Sequence, residues 1–239
     1  MSSLQEAVQA NLRAVHERIT QAARAAGRMP QGIALVAVSK TFPAEAVIAA
    51  AAGGQADFGE NYVQEAIAKI ARVRELAPQL ALRWHFIGPI QSNKTRDIAE
   101  HFDWVQSVDR LKVAQRLSQQ RPAGCEPLNV LLQVNISGEA SKNGVAPQDV
   151  AALASAVAAL PHLALRGLMA IPEPAAGGEP PAQSLRAMKQ LFDELRQQHP
   201  QCDTLSLGMT ADLEAAVAAG STMVRVGTAI FGERERKAA

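Results

Sequence analysis

Ile33-Ala34-Leu35-Val36-Ala37-Val38-Ser39-Lys40 decides how the rest of the chain is read. Six apolar residues follow one another, with Ile33, Val36 and Val38 β-branched. Such a run reads as a strand covered on both faces, as parallel strands under helices are. The turn after it, Ser39-Lys40-Thr41-Phe42-Pro43, lacks the glycine-rich fingerprint that opens a dinucleotide-binding doubly wound sheet. On the C-terminal side, β-rich runs recur at 57–61, 83–88, 104–108, 128–136, 163–171, 204–209 and 223–231. A helical pattern follows each of the first seven strands, at 44–52, 63–76, 93–101, 110–120, 147–159, 183–198 and 211–219. Only the stub 233–239 follows the eighth.

On the N-terminal side lies one more helix, over 1–27. Ser3 and Glu6 form a capping box, Leu4, Val8, Leu12, Val15 and Ile19 recur at helical spacing, and Gly27 stops it. Strict β-α alternation implies parallel strands with right-handed crossovers, and eight such units close more naturally than they stay open. The expected fold is α/β: a single (β/α)8 TIM barrel over 33–232, preceded by an extra helix, in one domain spanning 1–239. A chain of 239 residues suits one such barrel, typically about 250 residues.

Composition excludes several function classes. With 48% hydrophobic and 20% charged residues the chain is globular, neither disordered nor fibrous. Its 24 Lys and Arg nearly balance 23 Asp and Glu, without a block of like charge, so nucleic acid and membrane surface are poor partners. Every apolar run is too short to span a bilayer, and the polar start (Ser2, Ser3, Gln5, Glu6) is unlike a signal peptide. Cys125 and Cys202 lie far apart and outside any metal-ligand spacing; they read as free thiols of a cytoplasmic protein with no metal site.

In a barrel of this kind chemistry sits where strands end and βα-loops begin. Those positions hold Lys40, then Glu60 and Asn61, His85 and Gly88, Ser107, Asn135 and Met169. Ser206, Gly208 and Met209 end the seventh strand, and Arg225, Gly227 and Thr228 belong to the eighth. Lys40 ends an apolar strand on the side of Val36 and Val38, the inward side, where an ammonium is costly and its pKa tends to fall. A lysine so placed is suited to forming a Schiff base with an aldehyde, although a lysine at a strand end is also an ordinary surface residue. Barrels often bind phosphate at the loops after strands seven and eight. There Gly208 and Gly227 allow close backbone approach, Ser206 and Thr228 offer hydroxyls, and Thr210 is the expected N-cap of the helix at 211. Arg225, within an apolar strand, needs a partner, either Glu60 in a structural ion pair or a ligand. Asn61 and His85 read as satisfied polar groups at strand ends. The loops 137–147 and 172–183 lie on the same face and read as solvated connectors, with a lid role open.

These residues carry a resemblance. The stretches 35–41, 58–65 (Phe-Gly-Glu-Asn-Tyr-Val-Gln-Glu), 84–88 (Trp-His-Phe-Ile-Gly), 91–94, 134–137 and 167–169 are similar to those of the YggS-like pyridoxal phosphate homeostasis proteins. So are 205–212 (Leu-Ser-Leu-Gly-Met-Thr-Ala-Asp) and 225–232 (Arg-Val-Gly-Thr-Ala-Ile-Phe-Gly), in order over nearly the whole chain. Leu207 and Thr210 stand where Met and Ser are more usual, and Pro89-Ile90 follows Gly88. The resemblance implies a barrel like the alanine racemase N-terminal domain with pyridoxal 5′-phosphate as a Schiff base on Lys40. It implies phosphate contacts from Ser206, Met209, Gly227 and Thr228, with Arg225 and Asn61 nearby. It also implies a role in intracellular vitamin B6 and amino-acid homeostasis without an established catalytic activity, with pyridoxal-phosphate-dependent apo-enzymes as partners.

The residues give their own reason to expect a carrier. Racemases of this barrel type resemble two-domain proteins that place Lys and Tyr on opposite faces of the substrate. Here a second domain has no room and Tyr62 is the sole tyrosine. An arginine at the pyridine nitrogen, if Arg225 takes that place, would further weaken the electron sink. The alternatives are an amino-acid racemase or lyase with Lys40 as base, a Schiff-base aldolase without the cofactor, and a barrel-shaped interaction protein. A monomer is expected.

Overall fold

A computed structural model describes residues 3–138, 143–172 and 182–233. Eight short strands, β1 (Ala34–Val38), β2 (Asp57–Glu60), β3 (Arg83–Phe86), β4 (Trp104–Val108), β5 (Leu128–Gln133), β6 (Leu163–Met169), β7 (Thr204–Ser206) and β8 (Met223–Val226), form a closed barrel in sequence order. Every neighbouring pair is parallel, and β8 closes on β1 with Val36 opposite Arg225. Eight helices pack around it: α1 (Ser3–Ala25), α2 (Ala44–Ala51), α3 (Val63–Leu76), α4 (Thr95–His101), α5 (Leu111–Gln120), α6 (Val150–Ala158), α7 (Ala182–Gln198) and α8 (Leu213–Ala218). A single helical turn, α9 (Thr228–Phe231), follows β8.

Alternation along the strands divides the core in two. Val36, Trp104, Leu131, Met169 and Met223 fill the barrel's interior. A larger layer, including Leu35, Phe58, Phe86, Val105, Leu132, Leu168 and Val224, lies between the strands and the helices. Both faces of the strands are therefore dry, which is why 33–38 and 130–132 read as unbroken apolar runs.

The expected alternation holds for every element, with three differences. The eighth strand is shorter than expected: 228–231, rich in β-formers, is the helix α9. Burial of Ile230 beside α1 outweighs local propensity, and the Ile230 and Phe231 amides donate back to the Gly227 carbonyl. Helix α8 starts at Leu213, and the residue before it is Asp212, not Thr210. Asp212 accepts the Met209 amide at 2.7 Å and so closes a turn over 209–212 that the expected helix would have used. Helix α1 already includes Ser3, so the residue before it lies outside the described residues. The segments 139–142 and 173–181 of the two loops, and 234–239 of the C-terminal stub, also lie outside them.

Helix α1 buries Val8, Leu12, Val15, Ile19, Ala22 and Ala23 against α2, α8 and α9. It thus covers the seam where β8 meets β1. The helix preceding the barrel lies where a helix following β8 would pack, and among the described residues only the single turn α9 follows that strand.

Candidate functional site

A cavity of about 270 Å³ opens at the C-terminal ends of the strands. Val38 ends β1 and Lys40 follows it into the cavity, Asn61 comes just after β2, and Ile87 just after β3. Ile171 lies after β6, Met209, Thr210 and Ala211 after β7, and Arg225, Gly227 and Thr228 on and after β8. Among the described residues lining it, Lys40 and Arg225 are the ionisable ones, so the cavity suits an anion.

Each wall has a local cause. Lys40 is half-buried, two residues beyond the end of β1, in a turn closed by the Phe42 amide donating to the Ser39 carbonyl at 3.0 Å. Asn61 is held by its neighbour strand. Gly88 runs so close that a Cβ there would sit 2.2 Å from the Asn61 carbonyl oxygen, and Ser107 anchors Gly88 by donating to its carbonyl at 2.6 Å. The Asn61 Oδ1 is buried with no protein hydrogen-bond donor. Gly227 passes the end of β1 with equal economy: a Cβ would lie 3.1 Å from the Val38 carbonyl oxygen. From outside, Arg18 of α1 reaches the Thr210 carbonyl at 3.0 Å while also pairing with Glu214 at 2.8 Å.

Arg225 is buried and donates to the Ser206 carbonyl (2.9 Å), the Ser206 hydroxyl (2.6 Å) and the Ala170 carbonyl (3.0 Å). Burial pulls its guanidinium down to about 10, with Asp212 opposing, so it remains charged at neutral pH. The expected pair with Glu60 does not form: Glu60 is bound by Lys69 at 2.7 Å and by the Ser39 hydroxyl at 2.6 Å. A guanidinium on β8 finds carbonyl acceptors beside it on β7 and after β6, whereas Glu60 has its own ammonium nine residues on.

A polar chain continues through the barrel. The Ser206 hydroxyl donates to Gln106 Oε1 at 2.7 Å, and Gln106 Nε2 donates to His85 Nδ1 at 3.0 Å. The His85 proton therefore sits on Nε2 and is donated to Asp57 Oδ1 at 2.9 Å. Burial lowers the His85 pKa, so the ring is neutral, stacked on Trp104 at 5.3 Å. Burial alone would raise the Asp57 carboxyl, but the Arg83 and His85 hydrogen bonds outweigh it and hold it at about 2. The expectation that His85 is structural fits this geometry.

A sequence model of the alanine racemase N-terminal domain matches residues 6–235. The pyridoxal phosphate homeostasis protein of Pseudomonas aeruginosa is 60% identical over 225 residues, which are 94% of this chain and 95% of that protein. The chain belongs to this family. PipY of Synechococcus elongatus, solved with PLP bound, has a TM-score of 0.76 at 38% identity and covers 91% of this chain and all of its own. Alanine racemase from Corynebacterium glutamicum, at 18% identity and TM-score 0.69, shares the fold over 98% of this chain and 63% of its own.

Of the family residues expected to bind, Lys40, Asn61, Met209, Arg225, Gly227 and Thr228 meet at the cavity. Ser206 lies one layer beneath it, fully buried, its hydroxyl between Arg225 and Gln106. The Met209 amide is engaged by Asp212. Thr210, expected beside the phosphate as a helix cap, lines the cavity as well, whereas Ile87, Ile171 and Ala211 are walls, and Gln106 a buried partner, that the strand-end pattern does not single out. Gln106 had a visible signal: it alternates with Trp104 in an apolar strand, which turns an amide inward. Cys202 is buried and its thiol is pushed up to about 11 by that burial, so it is inert.

Proposed function

We propose that this chain, as one domain over 1–239, is a pyridoxal 5′-phosphate carrier acting in cellular vitamin B6 and amino-acid homeostasis. The observation that carries the reading is the cavity itself: a lysine just after β1 lines it together with an arginine of β8 and the glycine-hydroxyl turn that follows β8, with no third ionisable side chain among the described lining residues. The donor set fits the cofactor. Lys40 would hold the cofactor through its amine, which can condense with an aldehyde with loss of water. The Thr228 hydroxyl and the amides of Thr228 and Ala229 suit the phosphate, the next two amides being returned to the Gly227 carbonyl. Arg225 contributes its charge to the same wall, and the orphaned Asn61 Oδ1 would accept a hydroxyl of the ring. Ser206 acts from below by holding Arg225, and Met209 closes the side of the cavity.

Two-sided proton transfer needs an acid and a base on opposite faces. Tyr62 is 57% exposed and is not among the lining residues, and neither is any histidine. That supports a carrier over a racemase, as do the relatives' names, which state a homeostatic role. The cytoplasm is the proposed location, pyridoxal-phosphate-dependent apo-enzymes the proposed recipients, and a monomer the proposed state, since the exposed large apolar residues are scattered over separate elements.

Purified protein should show a visible absorption band that borohydride bleaches and that Lys40→Ala lacks. A colourless wild-type protein that pyridoxal 5′-phosphate neither colours nor stabilises would overturn the reading. Incubation with D- or L-amino acids in deuterated water should leave the α-proton unexchanged; rapid exchange would make the chain an enzyme.

A further inference from the structure

Lys40 sits second in a four-residue turn, Ser39 to Phe42, whose third residue, Thr41, has φ +69°. That position ordinarily takes glycine, because a β-branched residue with positive φ is strained. Something must hold it there, and three charged groups converge on the two residues that flank Lys40. The buried Lys69 ammonium donates to the Ser39 carbonyl at 2.7 Å, to Glu60 Oε1 at 2.7 Å and to Glu65 Oε1 at 3.1 Å. Glu65 Oε1 accepts the Thr41 amide at 2.5 Å, and Glu60 Oε1 accepts the Ser39 hydroxyl at 2.6 Å.

We propose that Lys69 is a positioning residue for Lys40: bridged to Glu60 and Glu65, it locks the Ser39–Thr41 turn in the conformation that presents Lys40 to the cavity. A core ion pair would account for Lys69 with Glu60. It would not account for the same ammonium on the Ser39 carbonyl, or for Glu65 reaching from α3 to the strained Thr41 amide. Lys69 and Glu65 lie one helical turn apart on α3, so a single rigid helix grips both sides of Lys40. The inference rests on Lys40 being the tether. Capture of the aldehyde requires the amine to meet the carbonyl carbon in a narrow geometry, a C=N bond forming as water leaves, so a loosened turn slows that step. Ligand held by the other walls is unaffected.

The test separates the two. Capture is followed as the rate at which the visible band appears with pyridoxal 5′-phosphate. Cavity binding is followed with pyridoxamine 5′-phosphate, which has an amine in place of the aldehyde. Glu65 is one-third exposed, so Glu65→Ala should fold; capture should slow about tenfold, with Glu65→Gln restoring part of it through a neutral acceptor. Lys69→Met combined with Glu60→Gln removes both buried charges together and should slow capture at least as much, while pyridoxamine 5′-phosphate binds within about twofold of wild type. Folded variants that capture at the wild-type rate would reduce Lys69 to a core ion pair. Parallel loss of both ligands would show that it shapes the whole cavity and would also overturn the proposal. A wild-type protein without the band would remove the tether itself, a different failure. If the double variant does not fold, the two Glu65 variants decide.

Discussion

Gln106 joins the ligand cavity to the opposite mouth of the barrel. Its carbonyl accepts from Ser206, which holds Arg225, and its amide donates to His85, which holds Asp57. Gln106→Leu keeps the bulk and leaves Ser206 and His85 each short of a buried partner, at a cost of about 2–4 kcal/mol. Denaturant midpoints should fall accordingly, and pyridoxal 5′-phosphate should bind more weakly because Arg225 loses its support from below. A midpoint unchanged from wild type would mean that water or a neighbour replaces the amide. Asp57 gives the chain a pH signature. Its carboxyl lies below the ordinary value in the folded state, so the stability it contributes is complete above about pH 4 and is lost as pH falls towards its folded value of about 2. The loss is about 2 kcal/mol. Asp57→Asn should therefore melt below wild type at pH 7 and converge with it near pH 2; a constant gap across that range would refute the assignment. His85, neutral when folded, pushes the same way from below about pH 6, because the unfolded chain takes up the proton first.

The strand ends act as elements through close backbone approach. β3 fixes the end of β2 because Gly88 lies against the backbone of Asn61, and β4 fixes Gly88 through Ser107. Gly88→Ala introduces a Cβ 2.2 Å from backbone oxygen, which cannot yield as a flexible side chain would. A loss of about 1–3 kcal/mol is expected, with weakened ligand binding because Asn61 moves. Thermal melts and titration with the cofactor measure the two effects; a variant that melts normally and binds normally would show that β3 shifts at no cost. The β7–α8 connection is held by Asp212 on the Met209 amide and by Arg18 on the Thr210 carbonyl. The run 205–212 carried no sign of the second contact, since Arg18 lies 192 residues earlier in the chain.

For the molecule as a whole, the helix that comes first in sequence packs over the point where the barrel closes. α1 buries four large apolar side chains, Val8, Leu12, Val15 and Ile19, over the β8–β1 seam. At about 1.5–3 kcal/mol each, their burial is comparable to the net stability of an ordinary protein. Removing residues 1–27 should therefore abolish cooperative unfolding, as followed by circular dichroism. Leu12→Ala, which opens a cavity in the same layer, should cost about 2–5 kcal/mol. A truncated chain that still unfolds in one sharp transition would show that the seam closes without α1.

The sequence by itself determined the alternation of strands and helices, the barrel and the strand-end positions of Lys40, Asn61, Arg225, Gly227 and Thr228. Those features follow from local periodicity and from the rule that βα-loops share one face. Only the tertiary structure decided that 228–231 is helical, that α1 packs over the β8–β1 seam, that Arg225 bonds to Ser206 and Ala170, and that Lys69 and Glu65 brace the turn bearing Lys40. Each of these depends on contacts between residues on different strands and helices. Hydrophobic periodicity records which face of an element is buried; which polar groups meet there is fixed only by closure, when every buried donor must find an acceptor.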